Sequence, residues 1–415
     1  MNKRKIINDP VYGFLTIDDD IIYDVIEHPY FQRLRNIKQL GFTYYVYPGA
    51  THNRFSHALG CLYLMGRALE VLKMKGVEIT SDEALGAKLA ILLHDIGHGP
   101  FSHTMEHVLV DVDHEVLTHL FMERLNEEMD DKLTTAIRIF DDTYPKHFLH
   151  QLVSSQLDMD RLDYLSRDSF FSGVSEGIVG TERIINMLNV HDDELVVDQK
   201  GIYSIEKFII SRRLMYWQVY LHKTVVAADM LLINAVTRAR ELYFRIPTMF
   251  ETYRNNMGYN GLMQFIFNKQ YEDDFRKDPS LLDKFAALDD SDAMQTLKEW
   301  SHSSDEVLAR LVSNLMYRRL PAVSISEEPF SNKYINELHR KADRLFNAGK
   351  EASRYFVGTG THENHAYDLN DQEIRVLYKD GTCKDISEAS DQLDRRFLEK
   401  TVTKYYIYYP KELKQ

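Results

Sequence analysis

The 415-residue chain has only two cysteines, Cys61 and Cys383, enough for at most one disulfide in a chain large enough to build its own core. Free thiols in a reducing, cytoplasmic setting are therefore expected. Glycine (19) and proline (10) are scarce, which excludes collagen-like and low-complexity classes. No apolar run approaches the roughly 20 residues of a membrane span, and even the stretch 224–236 is broken by Asp229. The N-terminal MNKRKIINDP meets charge and proline before any useful apolar run, so no secretion signal is expected. Positive charge is in deficit as well: 50 Lys+Arg against 63 Asp+Glu give a formal charge of −13, which excludes a polybasic nucleic-acid scaffold and argues against tight nucleic-acid binding.

What is present fits an ordered globular protein, with 44% hydrophobic and 12% aromatic residues. The length predicts two or three domains, or one large core with appendages. Charge is unevenly spread. Residues 28–69 hold five bases (Arg33, Arg35, Lys38, Arg54, Arg67) and no acid, whereas 271–310 carry eleven acids against five bases. A basic pocket inside an acidic protein follows from that pattern.

Up to about residue 325 the pattern is mainly helical. Leucines at helical spacing predict a helix over 58–75 stopped by Gly76, and a second one opening on the capping box Thr80/Glu83 and running through AKLAILLHDI. The second is apolar on nearly every face, so it is expected to be central and buried, breaking at Gly97, Gly99 and Pro100. Further helices are predicted over 148–171 and over 206–244, the latter one long helix or two in series. Stretches 194–205 and 374–386 each read as a β-hairpin around a glycine turn. The polar stretch 251–260 reads as a connector. After Ser326 the texture changes to short mixed segments ending in VTKYYIYY (402–409), read as an edge strand. The class expected is mainly α, with a catalytic domain over 1–325 and a small α+β lobe over 326–415.

Eight of the 17 histidines fall between His52 and His119. A largely apolar helix delivers the adjacent pair His94 and Asp95 to its buried end, where an unpaired carboxylate would cost several kcal/mol. A metal ion removes that penalty. His57 in HNRFSH and Asp160 in DMDRLDY are the best further ligands. Two imidazoles with two carboxylates suit Mn, Fe, Zn, Ni or Mg, and four protein ligands on an octahedral ion leave positions for water or a phosphate oxygen.

HNRFSH, HDIGHGPFSH and DMDRLDYLSRD, in this order and with INDPVYG, FQRLRNIKQLG and YYVYPGATHNRFSH before them, resemble the HD-domain phosphohydrolases, in particular the dNTP triphosphohydrolases. The resemblance spans about residues 5–319. It is similar to the catalytic part of the animal enzyme that joins a SAM domain to an HD domain, and to bacterial relatives lacking the SAM domain. It implies metal ligation by His57, His94, Asp95 and Asp160, and water attack on the α-phosphorus of a dNTP, releasing deoxynucleoside and triphosphate. It implies His103 as general acid, with His98 and His114 in the same catalytic cluster. Glu106, one turn along the chain from His103, is separately expected to orient it. A triphosphate carries about four negative charges, so cationic clamps are needed. Arg54, Arg161 and Arg212 match phosphate-contacting positions, Arg161 replacing a lysine.

Asp160, Tyr164 and Asp168 share one helix face, and Tyr164 and Asp168 match sugar-binding positions. Tyr220, Gln39 and Leu40 match positions that pack on the deoxyribose and exclude a 2′-hydroxyl. Lys5, Asn8, Gln32, Arg35, Val46, His222 and Lys223 match a regulatory nucleotide site, which implies an activating GTP or dNTP and a homodimer or homotetramer. That pattern has gaps: Glu27 stands where an aspartate is expected and Ala322 where a lysine is. Tyr216 stands where the animal enzyme has an active-site histidine. Two other readings keep the residues and change the role: hydrolysis of another phosphoester (an alarmone, a cyclic nucleotide or a nucleic-acid end), or a nucleotide-sensing module with weak catalysis.

Overall fold

The computed structural model of the protein describes residues 5–246, 261–346, 352–364, 367, 373–393 and 401–414, and the side chain of His103 lies outside the described set. The expected connector at 251–260 lies outside it as well.

Asn53 starts the first long helix, Arg54–Met74, by accepting the Ser56 N–H at 3.0 Å. The helix therefore begins earlier than its leucines indicate, and its first turn turns the polar Arg54 and His57 inward, both buried. The next helix, Ser81–Leu93, opens on the predicted Thr80/Glu83 capping box and is buried along most of its length. It packs between Arg54–Met74 and the helix Thr134–Phe140. The predicted helix over 148–171 is instead two, His147–Gln151 and Met159–Ser172. Asp158 makes the break by capping the second helix, its Oδ1 accepting the Arg161 N–H at 2.7 Å. The later helical stretch is two helices in series, Ile202–Met215 and Lys223–Arg245, joined through a π-helical turn, Tyr216–Tyr220. Among the described residues no single helix is long and apolar enough to cross a membrane.

Among the described residues nine strands run β1 Lys5–Asp9, β2 Gly13–Ile17, β3 Leu188–His191, β4 Glu194–Asp198, β5 Ala322–Ser326, β6 Gly358–Asn364, β7 Arg375–Leu377, β8 Cys383–Asp385 and β9 Val402–Tyr409. They form three small sheets, β1-β2, β3-β4-β7-β8 and β5-β9-β6, in an otherwise mainly α fold. The hairpin at 374–386 forms as expected, with Gly381 at φ +85° in its turn. The one expected at 194–205 does not. β4 turns back onto β3 through Asp192 and Asp193, both left-handed (φ 51° and 64°), and after Asp198 the chain enters a helix. Paired left-handed residues make a hairpin turn without glycine because aspartate tolerates that conformation.

VTKYYIYY is a central strand rather than the expected edge: β9 bonds to β5 on one side and to β6 on the other. Both larger sheets join strands from the two sides of Ser326, β4 to β7 and β5 to β9. The acid-free and acid-rich segments also meet: Asp290 accepts the Lys38 backbone N–H at 3.1 Å and faces its Nζ at 3.4 Å.

Candidate metal centre and active site

Three helices bring the four expected ligands together. His57 sits one turn into Arg54–Met74, His94 caps the C-terminal end of Ser81–Leu93 with Asp95 next to it, and Asp160 lies in the first turn of Met159–Ser172. His57 Nε2 is 2.9 Å from Asp160 Oδ1 and 3.7 Å from Asp95 Oδ2. His94 Nε2 is 3.5 Å from Asp160 Oδ1 and 3.6 Å from Asp95 Oδ1, and it has no hydrogen-bond partner although it is buried.

Adjacent ligands at about 2.1 Å from one ion stand roughly 3 Å apart, so the set fits a divalent cation after a small contraction. Each imidazole is oriented from behind. His94 Nδ1 donates to the Ile91 carbonyl at 2.6 Å, and His57 Nδ1 faces Asp163 Oδ2 at 2.6 Å, which leaves both Nε2 lone pairs turned inward. Burial pushes the Asp160 carboxyl up, but the neighbouring His57 and His94 rings outweigh it and hold the group well below the usual carboxylate range.

Cys61 also reaches this cluster, its Sγ 3.6 Å from both ring nitrogens of His57. Burial pushes its thiol far up, and a neutral thiol is a poor ligand. Asp95 is the better fourth donor. Its Oδ2 is also held by Arg54 Nη1 at 2.5 Å, while Ser102 Oγ accepts from Arg54 Nε and Nη2 at 3.0 and 2.7 Å. Arg54 is thus fully buried against the candidate ligand Asp95.

A second cluster adjoins the first. The His98 and His114 rings stack with centroids 4.0 Å apart, His98 Nε2 lies 3.3 Å from Asp95 Oδ1, and Glu106 Oε1 accepts from His114 Nδ1 at 2.5 Å and from its backbone N–H at 3.0 Å. Glu106 therefore orients His114. His103 is the second residue of the helix Ser102–Leu109, which also carries Glu106.

Burial raises Glu106, but the His114 contact outweighs it and brings the carboxyl down to about 2. Burial lowers His114, and Glu106 more than reverses this. The depressed acid stabilises the fold above its unfolded pKa of about 4.5 and loses that contribution as pH falls towards 2; the raised base stabilises it below about 6.5 and loses that as pH rises through its folded value. Glu106→Gln is thus expected to lower Tm most between pH 4.5 and 6.5, by roughly 1–3 °C, with the gap narrowing on either side. Calorimetry of both proteins across pH 3–9 checks it, and a gap independent of pH would contradict the pairing.

Beyond Asp160, the face of Met159–Ser172 continues through Tyr164 to Asp168. Asp168 is buried, Oδ1 facing His52 Nε2 at 2.7 Å and Oδ2 accepting from Tyr220 Oη at 2.7 Å. The Tyr164 and Tyr220 rings are 6.3 Å apart. Burial pushes the Tyr164 phenol up to about 12, against the opposing charges of Arg161 and Arg212. Arg161 is ion-paired to Asp158 and also bonds the Ser155 carbonyl, so it is anchored at the helix start. Gln39 donates its backbone N–H to the His52 carbonyl, while its buried Oε1 has no hydrogen-bond partner; Leu40 follows, half-buried.

The residues matched to a regulatory site fall in two groups. In one, Lys5 pairs with Glu27, Asn8 lies exposed on β1, and Arg35 Nε donates to Gln32 Oε1 at 2.8 Å. In the other, Val46 ends the short 3-10 helix Gly41–Tyr45, and His222 caps the helix that Lys223 begins, its ring 6.3 Å from that of Tyr47. Tyr216 Oη donates to the Glu363 carbonyl at 3.0 Å.

Sequence reasoning passed over His52, Asp163, Arg167 and Asp9. The i, i+4 spacing of Asp163 and Arg167 inside DMDRLDYLSRD was the available signal. His52 carried none, since its partner Asp168 lies 116 residues away.

The HD domain matches residues 54–168 and the HD associated region matches 179–249. Together with the ligand cluster these define a metal-dependent hydrolase. The chain belongs to the HD-domain phosphohydrolase family. A crystal structure of a phosphohydrolase from Bacteroides thetaiotaomicron is 48% identical, with a TM-score of 0.91 over 98% of this chain and 99% of that one. The uncharacterized protein YwfO of Bacillus subtilis is 30% identical over 100% of this chain and 94% of its own. A deoxynucleoside triphosphate triphosphohydrolase SAMHD1 homolog of Dictyostelium discoideum is 31% identical over 60% of this chain and 51% of its own, so the chain spans about half of that relative.

Proposed function

We propose that the protein hydrolyses deoxynucleoside triphosphates to deoxynucleoside and inorganic triphosphate. The observation that carries this is the buried Asp168 carboxylate, held by His52 and Tyr220 on the helix face that starts at Asp160. An acceptor fixed two turns from the metal suits a sugar hydroxyl, and the Tyr220 ring beside it leaves little room for a second one. The similarity to the Dictyostelium dNTP triphosphohydrolase supports the same reading.

His57, His94, Asp95 and Asp160 would hold the cation, which when bound lowers the pKa of a coordinated water from about 16 towards 7 and polarises the phosphoryl group. Arg54 keeps Asp95 ionised and aligned. Arg161 and Arg212 face the triphosphate, and His103 protonates the departing 5′-oxygen. Lys5, Asn8, Gln32, Arg35, Val46, His222 and Lys223, an activating nucleotide and a homo-oligomer belong to the same proposal.

The test is product identity. Purified protein is incubated with each dNTP and NTP, with Mn or Mg and with GTP or dGTP as activator, and followed by phosphorus NMR. Free triphosphate with deoxynucleoside is expected; orthophosphate or pyrophosphate as the product would sink the reading. Tyr220→Ala is further expected to narrow the preference for dNTP over NTP by about 10- to 100-fold in kcat/KM, and an unchanged ratio would remove the steric role of Tyr220.

A further inference from the structure

We propose that Asp9, the last residue of β1 before the β1–β2 turn, is a positioning residue for the metal centre, acting through Arg167 and Asp163 on the ring of His57. Arg167 Nη1 donates to Asp9 Oδ2 at 2.8 Å. The same guanidinium donates through Nε to Asp163 Oδ2 at 2.9 Å and through Nη2 to Asp163 Oδ1 at 3.0 Å. Asp163 Oδ2 then takes His57 Nδ1 at 2.6 Å. The side chains of His57, Asp163 and Arg167 are 0% exposed and that of Asp9 is 4% exposed, so water competes at no link.

The other oxygen of Asp9 accepts the Val11 and Tyr12 backbone N–H groups at 2.9 and 3.0 Å, which fixes the carboxylate to the hairpin turn. A surface hairpin, with Ile6 66% and Phe14 75% exposed, is thereby tied to a ligand with no exposure at all.

The charges explain why Asp9 matters at a distance. A carboxylate behind a ligating imidazole sets its tautomer and raises its basicity. The bidentate Arg167 fixes the plane of Asp163 but also draws on its charge. Asp9 compensates Arg167 and so restores the pull of Asp163 on His57. Asp9→Asn keeps the shape and the Oδ1 contacts to the turn while removing that compensation.

The inference rests on His57 being a metal ligand, not on which phosphoester is cleaved. Mn²⁺ affinity is measured by calorimetric titration of the full chain for wild type, Asp9→Asn, Arg167→Lys and His94→Ala, and Tm is recorded in chelator to report the metal-free fold. Asp9→Asn and Arg167→Lys are expected to weaken Mn²⁺ by about 10- to 100-fold. If His94→Ala binds like wild type, the metal reading itself fails. If His94→Ala loses the ion while Asp9→Asn binds like wild type and shows only a lower Tm, the role of Asp9 is structural and the proposal is overturned. Should Asp9→Asn not fold, Arg167→Lys decides by the same criterion.

Discussion

Asp160→Ala is expected to strip the metal and reduce turnover by about 10³- to 10⁴-fold, the loss of several kcal/mol of charge stabilisation at the reacting phosphorus. One oxygen of Asp160, Oδ1, lies within 3.5 Å of both His57 Nε2 and His94 Nε2. Asp95 cannot replace it, because one of its oxygens is committed to Arg54 at 2.5 Å. The side chain of Asp160 is also 30% exposed, the most open of the four, so its removal leaves a solvated gap rather than a dry cavity and the fold should survive. Metal content by mass spectrometry, turnover and a circular dichroism spectrum together check the prediction. A folded variant retaining stoichiometric metal, or more than a tenth of the wild-type rate, would show that the ion sits elsewhere.

Gly60→Ala is expected to cost about 3–5 kcal/mol, or to prevent folding, although it adds a single methyl group in mid-helix. A Cβ at position 60 would lie 2.0 Å from Asp163 Oδ1 and 2.3 Å from Arg167 Nη2. Neither partner can yield, since both are fully buried and joined by a two-pronged ion pair. On an open helix face the same change would stabilise by the better propensity of alanine, up to about 1 kcal/mol. The sign of the effect therefore reports the packing. Denaturant unfolding decides it, and a destabilisation below 1 kcal/mol would mean that the pair has slack.

The candidate ligands His57, His94, Asp95 and Asp160 stood out because each sits in a local pattern: a His-Asp pair at the end of an apolar helix, and short polar motifs around His57 and Asp160. The relay behind His57 was not, because Asp9 and Arg167 stand 158 residues apart and no local pattern records that they meet. The sheets show the same division. The 374–386 hairpin closes on its own glycine turn, whereas β9 is central only because β5 and β6, distant in sequence, take its two edges. Asp192 and Asp193 turn the chain without glycine, which shifted the other hairpin by one strand. Capping at Thr80 was readable since both partners lie within one turn.

The π-helical turn at Tyr216–Tyr220 makes the spacing along this part of the chain a matter of phase. A π-turn holds one residue more than the α-helical turn it interrupts, so everything after it is rotated by about 100° relative to an uninterrupted helix. Tyr220 reaches Asp168 from within that turn, and the helix beyond leaves at 57°. Deleting one residue here would let the segment relax to regular α-helix with its composition almost unchanged. The aromatic ring would then point to a different azimuth, and the hydroxyl that closes over Asp168 would be lost without any substitution at either residue.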